Sequence, residues 1–295
     1  MTFIQEVYYS CIFNSSGSGK TTLMVEGLAD NWGFYIVALR DKEHVMGSND
    51  LTLAIQDLSR KTGFKALDGK SSDQPTINET LAINAGRRIL LSRLILFNFF
   101  LDLITACGIK DNNFTALKHK WTLLQIHPEV IVNADIFCIL SERLNNVETG
   151  LLATWVEEII TTISTKIRGP RLYLVLDEAQ AISSSYDIHF HSGNGSSSRS
   201  ILKYLLEAWD VNYDLHRLIS GTGLSLDIIQ KSHLYSHVAT PIRTWDLFTE
   251  TGCFDDPAIQ ARYIIARVWP RKSESQLLPS EKALLRRCWR WLRGR

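Results

Sequence analysis

The chain has 295 residues, 45% of them hydrophobic, enough to bury one large core or two modest ones. A formal net charge of +1 excludes any general pull toward nucleic acid or anionic membrane from the overall charge balance. Five scattered cysteines (Cys11, Cys107, Cys138, Cys253, Cys288) show no zinc-ligand spacing and no disulfide framework, which points to a reducing compartment.

In chain order, Val7 to Phe13 is β-branched and aromatic and reads as a buried strand. It runs into Asn14-Ser-Ser-Gly-Ser-Gly-Lys-Thr21, a phosphate-binding loop in which Asn14 replaces the first glycine of the pattern. Thr21 to Asp30 then carries Leu23, Met24, Val25 and Leu28 at helical spacing. Strand, glycine-rich loop and helix together give successive N–H groups and a helix dipole aimed at one anion. Gly17 and Gly19 permit backbone angles barred to other residues, and Asn14 is the mildest replacement because Asn tolerates the left-handed region. The expected nucleotide-binding set is Asn14, Ser15, Ser16, Gly17, Ser18, Gly19, Lys20, Thr21 and Thr22. Within it, Lys20 would reach the β- and γ-phosphates and the Thr21 hydroxyl would ligate Mg²⁺. The competing reading is a Ser/Gly loop with a chance Gly-Lys-Thr.

Trp32 to Leu39 reads as a second strand, followed by about 130 residues that look helical throughout. Helices are predicted over Asp50–Lys61, Asn78–Ala106, Phe114–Gln125, Asp135–Leu144 and Thr149–Ile167, with a polar loop from Asp68 to Pro75. This insertion (about 41–168) fits either a lid or protein-partner subdomain, or plain packing against the sheet. Ile89 to Ala106 is the most apolar window, but Arg93, Asn98 and Asp102 interrupt it, so a buried or amphipathic helix is expected rather than a membrane span. No signal-peptide pattern opens the chain, so the expected location is intracellular, cytoplasmic or nuclear.

Arg171-Leu-Tyr-Leu-Val-Leu-Asp-Glu-Ala-Gln180 has the form of a Walker B strand, continuous in hydrophobicity as a central parallel strand should be. Asp177 would hold the metal, and Glu178 would accept a proton from the attacking water. Its plain alternative is a core strand with a solvated acidic turn. Ser183 to Ser200, rich in Ser, Gly and His, reads as a mobile loop, followed by a helix over Ile201–Trp209. His189/His191 and His233/His237 are weak metal-binding pairs. Leu215 to Gly223 is a further strand ending in polar residues. There Thr222, or Ser220, is the candidate sensor of the γ-phosphate, with Gln180 a weaker one on the same edge.

Val238 to Trp245 is predicted as a last, edge strand, because Pro241 would cost a central one a ladder bond. Helices over Pro257–Trp269 and Ser280–Leu292 complete the pattern. The C-terminal stretch from Leu284 carries five arginines and two tryptophans. It reads as a surface for nucleic acid or a partner, or as a helix whose tryptophans dock on sequence beyond Arg295. The second reading is preferred. The expected organisation is a core over 1–247 and an incomplete helical segment over 248–295.

N-S-S-G-S-G-K-T, Y-L-V-L-D-E-A-Q, S-G-T-G-L-S and W-L-R-G-R together resemble the P-loop NTPase module of Crinkler-type proteins from fungi and oomycetes. The resemblance covers roughly 7–40, 170–225 and 280–295. It implies an ATPase working as an effector or in conflict systems, with Lys20 and Thr21 on phosphates and Mg²⁺, Asp177 on the metal and Glu178 activating water. Asn14 departs from the pattern, and these residues are read as carrying neither a targeting header nor a downstream effector domain, so the resemblance does not extend to delivery or to a final biological output. ATP rather than GTP follows from the resemblance and from the lack of an Asn-Lys-x-Asp guanine signature.

The resulting expectation is an α/β P-loop NTPase of the additional-strand, catalytic-glutamate (ASCE) type, with a parallel central sheet. It would bind and hydrolyse ATP with Mg²⁺, using Glu178, Lys20 and Thr222, and an arginine finger from Arg243, Arg262, Arg267 or another subunit. No membrane partner is expected. The rival readings are a nucleotide-binding switch, a small-molecule kinase and an inactive relic.

Overall fold

The computed structural model describes residues 9–13, 19–39, 46–67, 73–109, 114–167, 171–183, 185–190, 200–211, 215–222, 245–248, 256–269 and 271–292. Five strands, β1 (Tyr9–Phe13), β2 (Gly33–Val37), β3 (Leu172–Asp177), β4 (Leu215–Gly221) and β5 (Trp245–Phe248), form one sheet. Their spatial order is β2-β3-β4-β1-β5, and every pairing is parallel. All strand carboxyl ends therefore share one edge, and the register sets Val37 opposite Asp177, Ile12 opposite Ser220 and Phe13 opposite Gly221. Such an edge is where open parallel sheets bind ligands.

At β2 and β3 both sheet faces are covered: all five residues of β2 and all of β3 but Tyr173 are buried, whereas β4 alternates at His216 and Leu218, and Asp246 and Phe248 of β5 are exposed. The period of two still sorts them. Ile12, Tyr35, Val37 and Val175 meet Met24 and Leu28 of α1 (Lys20–Asp30) on one face. On the other face Cys11, Phe34, Ile36, Leu174, Leu176 and Ile219 join the main core. That core draws on α2 (Asp50–Leu58), α3 (Gln74–Ala106), α4 (Phe114–Ile126), α6 (Ile136–Arg143), α7 (Thr149–Lys166) and α9 (Ile201–Ala208). Short helices α5 (Pro128–Val132) and α8 (Gln180–Ser183) fill connections. Near the C-terminus, α10 (Pro257–Val268) and α11 (Pro279–Leu292) share a small cluster of their own, Ile265, Leu277 and Leu285.

Helix α3 spans 33 residues and is the axis of the helical layer. By length and composition alone it could cross a membrane, yet half of its most apolar window is buried inside the protein. Its Arg93 is buried and donates to both oxygens of Asp50, to the Ile89 carbonyl and to the Tyr35 carbonyl. Gly86 lets it pass close to α9: a methyl group there would lie 2.6 Å from Ala208 Cβ.

β2 is at the sheet's edge but not open. Its unpaired backbone groups are met by helical side chains: Tyr35 N–H donates to Gln125 Oε1 at 2.9 Å, and Trp121 Nε1 donates to the Gly33 carbonyl at 2.7 Å. Gln125 Nε2 donates to that carbonyl at 3.1 Å. Polar side chains from α4 thus take the place of a sixth strand.

Several expectations shift. α3 starts at Gln74 rather than Asn78, because Pro75 suits the first turn of a helix instead of ending the loop before it. α5 was not foreseen. Part of the loop predicted over Ser183–Ser200 is packed rather than mobile: Phe190 is buried, and the His189 ring stacks on Phe64 with centroids 4.6 Å apart. The last strand is at an edge as expected but begins at Trp245, where the prediction ended, and residues 238–244 lie outside the described ones. In α11, Arg286, Arg287 and Arg290 are exposed and Trp289 is half-buried.

Gln125→Leu would leave the Tyr35 N–H unsatisfied in the core. It is expected to lower stability by about 1–3 kcal/mol in urea denaturation, with an unchanged m-value.

Candidate functional site

Gly19 opens α1 with φ of 82°, in the left-handed region that glycine occupies without a Cβ penalty. The turn directs Lys20 inward, so that it is buried despite its charge, and places Thr21 half-buried beside the end of β3. Thr22 is exposed on the same turn. Asn14, Ser15, Ser16, Gly17 and Ser18 lie outside the described residues.

Asp177, at the carboxyl end of β3, is 1% exposed and accepts four hydrogen bonds. The Thr21 hydroxyl donates to Oδ2 at 2.7 Å and the Tyr35 hydroxyl to the same oxygen at 3.0 Å. On Oδ1 it receives the Ser220 hydroxyl at 3.0 Å and the Glu178 N–H at 2.9 Å. A buried carboxylate is tolerable only when its acceptor capacity is met in this way. Burial, reinforced by this carboxylate, pushes the Tyr35 phenol above its ordinary range, so it stays a donor.

Glu178 follows with φ of 56°, unusual for a residue with a Cβ. The turn is held by the Ala179 N–H on the Ser220 carbonyl at 2.9 Å, and the Glu178 carboxylate accepts from Gln180 Nε2. Gln180 Oε1 accepts the Thr222 N–H at 3.1 Å, and the Thr222 hydroxyl accepts from Lys20 Nζ at 3.3 Å. Burial lowers the Lys20 pKa, while the Glu178 and Asp177 charges oppose that shift.

Lys20, Thr21, Asp177, Glu178 and Thr222 thus converge on one corner from three separate stretches of sequence. Of the two sensor candidates, Ser220 is taken up by Asp177, while Thr222 stands beside Lys20.

Comparison with protein-family models, with curated proteins and with solved structures returned no match.

His191, His233, His237, Arg243 and the Arg267 side chain lie outside the described residues, and Arg262 is exposed on α10. Among the described residues no group of three His, Cys, Asp or Glu could hold a metal by itself. Burial raises the Cys11 thiol and brings Cys138 up to about 12, so neither is poised as a nucleophile. Sequence reasoning missed Tyr35, which sits inside an apolar strand with nothing local to mark it.

Because burial depresses the Lys20 pKa, the folded state disfavours its charge, and the penalty is present at neutral pH and relieved as pH rises toward the free-lysine range. Lys20→Met is therefore expected to melt higher than the parent without ligand. The gap should narrow as pH is raised, which thermal scans at neutral and alkaline pH would read.

Proposed function

We propose that this chain is a Mg²⁺-dependent P-loop ATPase of the class carrying a catalytic glutamate after the Walker B aspartate, with its helical insertion between β2 and β3. The observation that carries this reading is the 2.7 Å contact between the Thr21 hydroxyl and Asp177, residues 156 apart in sequence. A hydroxyl at the start of a helix and a carboxylate at the end of a strand are the two hard oxygens that Mg²⁺ takes from such a protein, its other ligands being phosphates and waters. The strand order also supports it: β4 lies between β1 and β3, which carries Thr222 to Lys20 and sets Ser220 against Asp177.

Thr21 and Asp177 would hold the metal, which when bound supplies charge neutralisation to the phosphates. Lys20 and the first N–H groups of α1 would hold the β- and γ-phosphates. Glu178 would accept a proton from the water attacking the γ-phosphoryl group, and Thr222 would contact the γ-phosphate beside Lys20. ATP over GTP, and a role as the motor or switch of a Crinkler-like effector, rest on the sequence motifs.

One observation favours a second reading, a small-molecule kinase. A hollow of about 440 Å³ adjoins the corner, lined by Thr21, Tyr35, Val37, Met46, Asp177 and Glu178. Small-ligand pockets begin near about 300 Å³, so the hollow has room for an acceptor beside the phosphates, or for part of the nucleotide itself.

Titration with ATP and Mg²⁺ followed by phosphate release tests both readings. Hydrolysis without any acceptor is expected, with Glu178→Gln keeping ATP affinity while turnover falls by roughly 100-fold or more. Lys20→Ala is expected to weaken binding. ATP consumption only on addition of an acceptor would establish the kinase, and tight binding with turnover absent from parent and Glu178→Gln alike would establish a switch. No saturable ATP binding would overturn all three.

A further inference from the structure

We propose that Gln180 is a positioning residue that aims the Glu178 carboxylate and ties it to the Thr222 end of the site. The inference rests on the ATPase reading and extends it to a residue two positions beyond the acidic pair.

Both ends of the Gln180 amide are engaged, each by a group of the corner. Its Nε2 donates to Glu178 Oε2, and its Oε1 accepts the Thr222 N–H at 3.1 Å. Thr222 in turn receives Lys20 Nζ on its hydroxyl at 3.3 Å. An unbroken run of hydrogen bonds therefore joins the carboxylate meant to act on water to the ammonium meant for phosphate. Ordinary turn capping does not account for this, since Gln180 meets the carboxylate at the tip of the Glu178 side chain.

The carboxylate needs such a partner. Glu178 has left-handed backbone angles fixed by its own N–H on Asp177, by the Ala179 N–H on the Ser220 carbonyl and by its carbonyl's bond from the Ala181 N–H. Those bonds set where the side chain starts, not where it ends. With Oε2 tied by Gln180, Oε1 is the oxygen directed to accept a proton. A base must lie within hydrogen-bond reach of its proton, and small misplacements are costly. The contact with Thr222 makes that aim sensitive to whatever occupies the space beside Lys20, so the γ-phosphate end and the base are linked by one side chain.

The test combines steady-state kinetics with nucleotide binding. Gln180→Ala is expected to lower kcat by roughly 10- to 100-fold, with KM for ATP rising no more than several-fold. Gln180→Glu keeps the size and the acceptor for Thr222 but cannot donate to the carboxylate, and should fall equally far. In a Glu178→Gln background Gln180→Ala should cost nothing further, because the group it positions is gone. Full activity in Gln180→Glu, or losses that multiply in the double variant, would overturn the proposal.

A second arm needs no turnover. Parent protein should prefer Mg-ATP to Mg-ADP, and Gln180→Ala should narrow that preference several-fold through Thr222. If ATP binds but no variant hydrolyses it, an unchanged preference overturns the proposal on its own. If the parent binds neither nucleotide, the ATPase reading is what fails, and the positioning role falls with it.

Discussion

Asp177 collects hydrogen bonds from α1, from β2, from β4 and from the backbone of its own turn, all on one buried carboxylate. No other group in the described structure ties so many elements together at the sheet's carboxyl edge. A carboxylate out of contact with water is costly unless donors surround it, so the arrangement is close to all-or-none. Losing one donor leaves the rest with an undersatisfied charge. The geometry of Lys20, Glu178 and Thr222 depends on this group, because each stands on an element that Asp177 fastens.

The helical residues between β2 and β3 have a structural task visible in the contacts. β2 has a sheet neighbour on one side only, and Trp121 and Gln125 complete the other. Arg93, paired with Asp50, adds a donor to the Tyr35 carbonyl, so the residue that donates to Asp177 is held from its backbone as well as its hydroxyl. Packing against the sheet, the plainer of the two sequence expectations for this region, is what these contacts describe. They also connect the helical layer to the candidate site through β2.

Charge placement follows the same logic of enforced company. Lys20 is buried with its pKa depressed, an arrangement that costs stability in the absence of an anion. Perturbed groups in concave corners cluster at functional sites. Glu178, in a backbone conformation few non-glycine residues adopt, belongs to the same pattern of local strain held by neighbours.

Much of the architecture was legible in the residues themselves. Strands β1 to β4 and most helices follow from unbroken apolar runs and from helical spacing, signals that lie within a few residues of one another. Lys20, Thr21, Asp177 and Glu178 could be singled out because glycine spacing and an acidic pair after an apolar run are local patterns too. Tyr35, Gln125 and the linking role of Gln180 could not. Their side chains are ordinary in sequence and acquire a role only when a strand end or a helix face brings a distant partner within about 3 Å, the reach of a hydrogen bond. Likewise the choice between Ser220 and Thr222 was undecidable from a strand ending in polar residues, since alternation says that they share a face but not which one meets Asp177. The amino-acid order by itself determined the elements and the chemical groups at their ends. Only the tertiary structure decided which of those groups touch, because contact across 156 residues is set by strand order and register, which no local pattern encodes.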